Sequence, residues 1–191
     1  MPKAKDPQKA KAIHTAAMKL VIETGFSGLK MADVAKEAGM ATGTLYIYYG
    51  SKNQLINNIY LKTKREIVAL LVDPSHRSET FYTTFRNMWF AYFAFCYQNP
   101  EKMLFVEQFL YSGYIEDSIY NKIEEMVSPL DQFLIEGQKN GLIKQIDVEL
   151  LKAQMEGALH EIVKILMMKR KSLDKMQLQK CFDMAWDSIK Q

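Results

Sequence analysis

The chain has 191 residues, 48% of them apolar and 25% charged, which supports a packed core and excludes a disordered chain. Nine glycines and five prolines are few for a β-protein with many turns, and stretches rich in Lys, Glu, Gln, Met, Leu and Ala favour helix. The net charge of +3 is unevenly spread: residues 1–55 carry eight lysines against four acidic residues, and the remainder is close to neutral. A basic front end suits a polyanionic partner, or is simply a solvated lysine-rich terminus.

Residues 1–5 read as a basic arm. Asp6-Pro7 suits an N-cap and first helical position, and Ile13, Ala16, Ala17, Leu20 and Val21 then share one helical face that Gly25 can end. Short helices are expected over Met31–Ala38, stopped by Gly39, and over Thr42–Tyr48. Ser51 and Gln54 form a capping box for a fourth helix carrying Leu55, Ile59, Ile67, Leu70 and Leu71. Asp73-Pro74-Ser75 is a break, and Ser78 is expected to cap a long aromatic helix to Gln98. Asn99-Pro100 ends that helix and starts another, which Ser112-Gly113 ends. Residues 115–139 are helical with a break at Ser128-Pro129. Asp147 caps a helix to about Lys171, and a last helix runs from Asp174 to Lys190. The fold class is all-α, about nine helices with no strand.

Cys96 and Cys181 lie within apolar helical patterns, a spacing that fits neither a metal site nor a disulfide framework. They read as small buried apolar groups in a reducing compartment. Lys3, Lys5, Lys9 and Lys11 interrupt any leader-like apolar run, and Met88–Tyr97 is far short of the roughly 20 residues that cross a bilayer. The expectation is a cytoplasmic protein with no membrane partner, no metal and no cofactor. An enzyme is not expected: the chain has three histidines, and no Glu-x-x-His pair, nucleophile with its base, or phosphate-binding glycine loop.

The informative stretch is Gly25–Leu55. Two short helices joined by a tight glycine turn are what a helix-turn-helix requires. Ala35 is small where the helices must approach, Gly39 permits the turn, and Val34, Ala38, Met40 and Leu45 supply the shared core. Gly25-Phe26, Val34-Ala35, Ala38-Gly39, Gly43-Thr44-Leu45-Tyr46, Tyr49, Ser51-Lys52 and Leu55 resemble the N-terminal pattern of the tetracycline-repressor (TetR) family over about 45 residues. The resemblance implies that residues 1–54 form a three-helix DNA-binding domain and residues 55–191 a larger helical domain for ligand binding and dimerisation. It implies that the third helix enters the major groove, with Ala41, Thr42, Gly43, Thr44, Tyr46 and Tyr48 facing DNA and Lys52 beside them. Lys30 stands where the family usually has threonine and offers a longer phosphate contact. Leu45 and Tyr49 are assigned to the core; for Tyr46 and Tyr48, packing against the first helix is the other reading.

Nine aromatics lie between residues 81 and 97. Phe85, Met88, Trp89 and Tyr92 share a stripe, and Phe105, Phe109, Tyr111, Met126 and Phe133 add to the cluster. From the residues alone this is a solid core or a ligand cavity; the resemblance implies a cavity. Glu107 and His160 are candidate polar contacts in it, or ordinary members of amphipathic helices. Leu151, Met155, Leu159, Ile162 and Leu166, with Leu178, Phe182, Trp186 and Ile189, form apolar faces that pack within the subunit or across a two-fold axis. The resemblance implies the second. The expected function is a homodimeric transcription regulator on a palindromic DNA operator, a repressor released by a small, largely apolar or aromatic effector. The alternatives are a regulator controlled by a protein partner, or a helical-bundle enzyme.

Overall fold

A computed structural model describes residues 6–115 and 117–191, without the side chains of residues 117 and 118; the basic arm expected at residues 1–5 lies outside the described residues. The described chain is helical, with nine α-helices, one 3-10 turn, and an isolated bridge between Ile143 and Lys190 in place of any strand. Its contacts form two compact units: residues up to Lys64 with Glu101–Ile123, and Arg65–Pro100 with Glu124–Gln191. The division expected at residues 54 and 55 falls instead inside one unbroken helix, α4 (Lys52–Leu71).

In the first unit α1 (Pro7–Gly28) starts at Asp6, whose carboxylate accepts from the Gln8 amide, and is kinked at Gly25. Ile13, Ala16, Ala17 and Val21 bury its inner face. Helix α2 (Met31–Glu37) ends in a Schellman turn: Gly39 N–H donates to Lys36 and Met40 N–H to Ala35, with Gly39 at φ 68°. A side chain there would force Cβ toward a carbonyl oxygen, so glycine sets the turn into α3 (Thr42–Tyr48). Ser51 Oγ accepts from the Gln54 amide at the start of α4, while Gln54 reaches back one residue beyond the expected capping box, to the Gly50 N–H.

The first unit also includes most of α6 (Pro100–Leu110) and the start of α7 (Asp117–Lys139). The reason is aromatic packing. Phe105 and Phe109 are fully buried, with rings 5.2 and 6.0 Å from Phe26, and Phe109 stacks on Tyr60 at 4.0 Å. Asn57 Nδ2 donates to the Tyr114 carbonyl in the same unit.

In the second unit the 3-10 turn Pro74–His76 precedes α5 (Phe81–Gln98). Thr80 caps α5, accepting from the Thr83 amide; Ser78, the expected cap, instead donates its N–H to Thr84 Oγ1. Helix α7 continues through the expected break at Ser128-Pro129. Pro129 is exposed, so the carbonyl it leaves unbonded can turn to water. Helix α8 (Val148–Lys169) is capped by Asp147 and ends at Arg170 in the left-handed conformation, two residues before the expected end. Helix α9 (Lys175–Ile189) begins with a full capping box between Asp174 and Gln177.

Phe182 of α9 is fully buried among four rings of α5: Tyr82, Phe85, Trp89 and Phe90, at 5.5–6.1 Å. Cys96 is fully buried and burial pushes its thiol up to about 12, which fits an inert apolar group. Tyr82 and Tyr97, expected within an all-round apolar helix, are about 40% exposed, so α5 keeps a wet side.

Gly137 of α7 permits a close approach. A Cβ there would stand 2.5 Å from the Phe81 ring, which is stacked on Phe133 at 4.4 Å and has no room to retreat. Alanine normally favours a helix over glycine by ~1 kcal/mol. Overpacking costs ~1–3 kcal/mol. Gly137→Ala is therefore expected to lower the Tm by about 2–6 °C for a chain of this size. A raised Tm on thermal denaturation would show that the Phe81 ring yields freely.

Candidate nucleic-acid interface and effector cavity

Helix α3 has seven residues, too few to hold its shape alone. Leu45 anchors it, fully buried. Two tyrosines then tie its C-terminal end to α1. The Asp6 N–H donates to the Tyr48 hydroxyl at 2.9 Å, and the Tyr49 hydroxyl shares a 2.6 Å hydrogen bond with His14 Nε2. His14 is buried and Tyr49 half-buried; burial raises the Tyr49 pKa, with the neighbouring Tyr48 adding to the shift, so its hydroxyl stays protonated.

These anchors leave one face of α3 open. Thr42, Gly43, Tyr46 and Ile47 are exposed, Tyr46 by 49% and Ile47 by 71%, at spacings of three and four that align them. Ala41 is the exposed N-cap and has no capping side chain; Thr44 is half-buried. Lys30 is the exposed N-cap residue of α2, and its side chain makes no hydrogen bond or ion pair among the described residues.

Tyr48 and Lys52 stand differently. Both are half-buried and bonded within the unit. Lys52 Nζ donates to the Ser27 carbonyl at 3.3 Å and lies 5.1 Å over the Tyr114 ring, tying the start of α4 to the end of α1. Ile47 is the residue that sequence reasoning missed. The available signal was angular: Ile47 lies two residues from buried Leu45, about 200° around the helix.

The second unit holds a cavity of about 90 Å3. Phe85, Met88, Trp89, Tyr92 and Phe133 line it, as the aromatic stripe suggested. Leu71, Leu130, Leu134, Met155 and Leu159 complete an almost wholly apolar wall, with Lys152 and Glu156 as its charged members. His160 is buried behind the wall, where Nε2 shares a 2.8 Å hydrogen bond with the Tyr92 hydroxyl. Lys152 is held by Asp131 at 2.8 Å and Glu149 at 2.7 Å; burial lowers its pKa, but these two carboxylates outweigh that and raise it.

Five expected cavity residues lie elsewhere. Phe105 and Phe109 are in the core of the first unit, to which Glu107 and Tyr111 also belong, Tyr111 being 87% exposed. Met126 is in the second unit but not on the wall. The expected dimer face is also corrected. Leu151, Leu159, Leu166, Phe182 and Ile189 are at most 6% exposed within the single subunit, Met155 and Leu159 line the cavity, and Ile162, Leu178 and Trp186 are half-buried. Trp186 packs on Tyr82 and Phe85. The outward face of α8 and α9 instead carries Leu150, Ile165, Met168, Met176 and Met184, each 44–77% exposed.

Residues 13–59 match the family model described as bacterial regulatory proteins, tetR family, and residues 81–190 match a tetracyclin repressor-like C-terminal domain. An uncharacterised HTH-type transcriptional regulator of Haemophilus influenzae is 27% identical over 142 residues, 74% of each chain. The fatty acid metabolism regulator protein of Bacillus subtilis is 23% identical over 181 residues, 92% of each chain. The crystal structure of a TetR family transcription regulator from Marinobacter aquaeolei is similar with a TM-score of 0.88 at 26% identity, covering 96% of each chain. With both parts of the chain matched, this protein belongs to the tetR family and is a DNA-binding transcription regulator.

Proposed function

We propose that the chain is a homodimeric repressor that leaves a palindromic operator when a small, largely apolar ligand fills the cavity of the second unit. The observation that carries this reading is Leu71. It lines the cavity and is the last residue of α4, the unbroken helix whose residues up to Lys64 belong to the first unit. A ligand with different affinities for two positions of that helix end has a covalent route to the DNA-binding head.

In this reading Tyr46 and Thr42 supply hydroxyls for phosphates or base edges, and Gly43 lets the backbone come close. Ile47 offers its hydrocarbon to a thymine methyl group. Lys30 contacts phosphate. Tyr48 and Lys52 act as positioning residues, because their polar groups are engaged within the unit. A second copy covers the outward face of α8 and α9. Along α8, Leu150, Gly157, Ala158, Ile165 and Met168 recur at helical spacing, and the exposed Gly157 and Ala158 let a partner helix approach closely. Two heads about 34–36 Å apart then meet successive major grooves.

Selection of bound duplexes from a random DNA pool, followed by fluorescence anisotropy, tests the DNA reading. The enriched sequence is expected to be palindromic and bound about 10³-fold or more tighter than its scrambled control. Enrichment of nothing above background would remove specific recognition. Lys30→Gln is expected to make the slope of log affinity against log salt shallower by about one, with the Tm unchanged. Ile47→Ala should lose about 1–3 kcal/mol of discrimination at one A·T position of each half-site. Equal discrimination in that variant would assign Ile47 to the surface alone. Ile165→Glu with Met184→Lys should sediment as a monomer and lose operator binding; a dimer persisting at micromolar concentration would move the interface elsewhere.

A further inference from the structure

The cavity adjoins a second one of about 70 Å3, and the two share Leu71, Met88, Leu130 and Phe133 as wall residues. They form an inner and an outer chamber. The inner wall is nearly all hydrocarbon and aromatic, and the ammonium of Lys152 is already held by Asp131 and Glu149. The outer chamber adds Asp73, His76 and Arg77 from the 3-10 turn and the residue after it. Asp73 Oδ1 is turned to the Ser75 amide, from which it accepts at 2.8 Å. His76 Nε2 is buried with no hydrogen-bond partner. The Arg77 guanidinium makes no hydrogen bond or ion pair among the described residues. A ring nitrogen and a guanidinium thus stand at the polar end of an apolar chamber. Arginine matches the planar, two-oxygen geometry of a carboxylate.

Resting on the reading of this cavity as the effector site, we propose that the joined chambers take an amphipathic anion. Its hydrocarbon tail lies in the inner chamber and its single carboxylate meets Arg77 and His76. Glu156 is the competing group: as the carboxylate on the inner wall, it would draw a hydrophobic cation instead. The charges of the outer chamber favour the anion.

Decanoate, decan-1-ol and decylammonium share one tail and differ in the head. Their binding to the full-length protein is measured by tryptophan fluorescence, with Trp89 on the inner wall, below their micellar concentrations. Decanoate is expected to bind at least about tenfold tighter than decan-1-ol, the size of one charge-assisted hydrogen bond. Decylammonium is expected to bind most weakly. Arg77→Gln, at an exposed position, should remove about tenfold of the decanoate affinity and leave decan-1-ol unchanged. Leu130→Trp, filling the wall common to both chambers, should abolish binding of both. Several outcomes overturn the proposal: decylammonium binding as tightly as decanoate, no binding of any of the three, an unchanged decanoate affinity in Arg77→Gln, or full binding in Leu130→Trp. Operator anisotropy separates the two readings. Decanoate bound as expected, with operator affinity unmoved, leaves the ligand class standing and removes the effector role.

Discussion

The open face of α3 depends on how the helix is held from behind. Seven residues cannot nucleate and sustain a helix in water, so tertiary contacts must supply its stability. Leu45 provides the apolar anchor, and the hydroxyls of Tyr48 and Tyr49 hold the far end against the backbone of Asp6 and the ring of His14. The Gly39 turn fixes where the helix begins. With both ends and the inner face committed, Thr42, Gly43, Tyr46 and Ile47 have only solvent before them. Exposure of a large isoleucine on so short a helix is a packing loss that the head tolerates, and the family's DNA-binding role gives that exposure a purpose.

The second unit resolves a different tension, between a solid aromatic core and a hollow one. Both are present, divided across α5. Phe182 fills one side, with four rings of α5 around it. On the other side Phe85, Trp89 and Tyr92 meet α7 and α8 across the cavity. Phe85 and Trp89 belong to both arrangements, so the packed side fixes the rings that wall the hollow side. Tyr92 is steadied in turn by buried His160. A cavity walled by side chains locked on their far side keeps its shape without a ligand, which lowers the ordering cost of binding.

Features written in local chemistry were legible in the sequence. Asp6-Pro7, Gly39, Asp147 and the Asp174–Gln177 pair act within four residues of themselves, and each sits at the helix boundary its residue type implies. Thr80 and Ser78 could not be separated that way, because both hydroxyls precede the same aromatic run and the choice falls to the Thr84 hydroxyl, which occupies the Ser78 amide. Tertiary assignment was less legible still. Phe105 and Phe109 look like any other members of the aromatic cluster, and only the positions of Phe26 and Tyr60 assign them to the first unit. The faces of α8 and α9 failed for a related reason. Both helices carry apolar residues on two sides, and hydrophobicity alone does not say which side the subunit consumes.

Helix α4 is where the two halves of the proposed function meet. Its twenty residues extend about 30 Å at 1.5 Å per residue, with Leu71 on the cavity wall at one end and Lys52 bonded to the end of α1 at the other. Leu55, Ile56, Ile59 and Tyr60 are at most 1% exposed, so the first half of the helix cannot shift without repacking the head. Leu71 is half-exposed by comparison, and the second half carries the looser contacts. Under the proposed function a ligand therefore acts on the end that is free to respond, while the other end is too tightly packed to absorb the displacement locally. The head then moves with the helix rather than deforming around it, and half-site spacing is the quantity that changes.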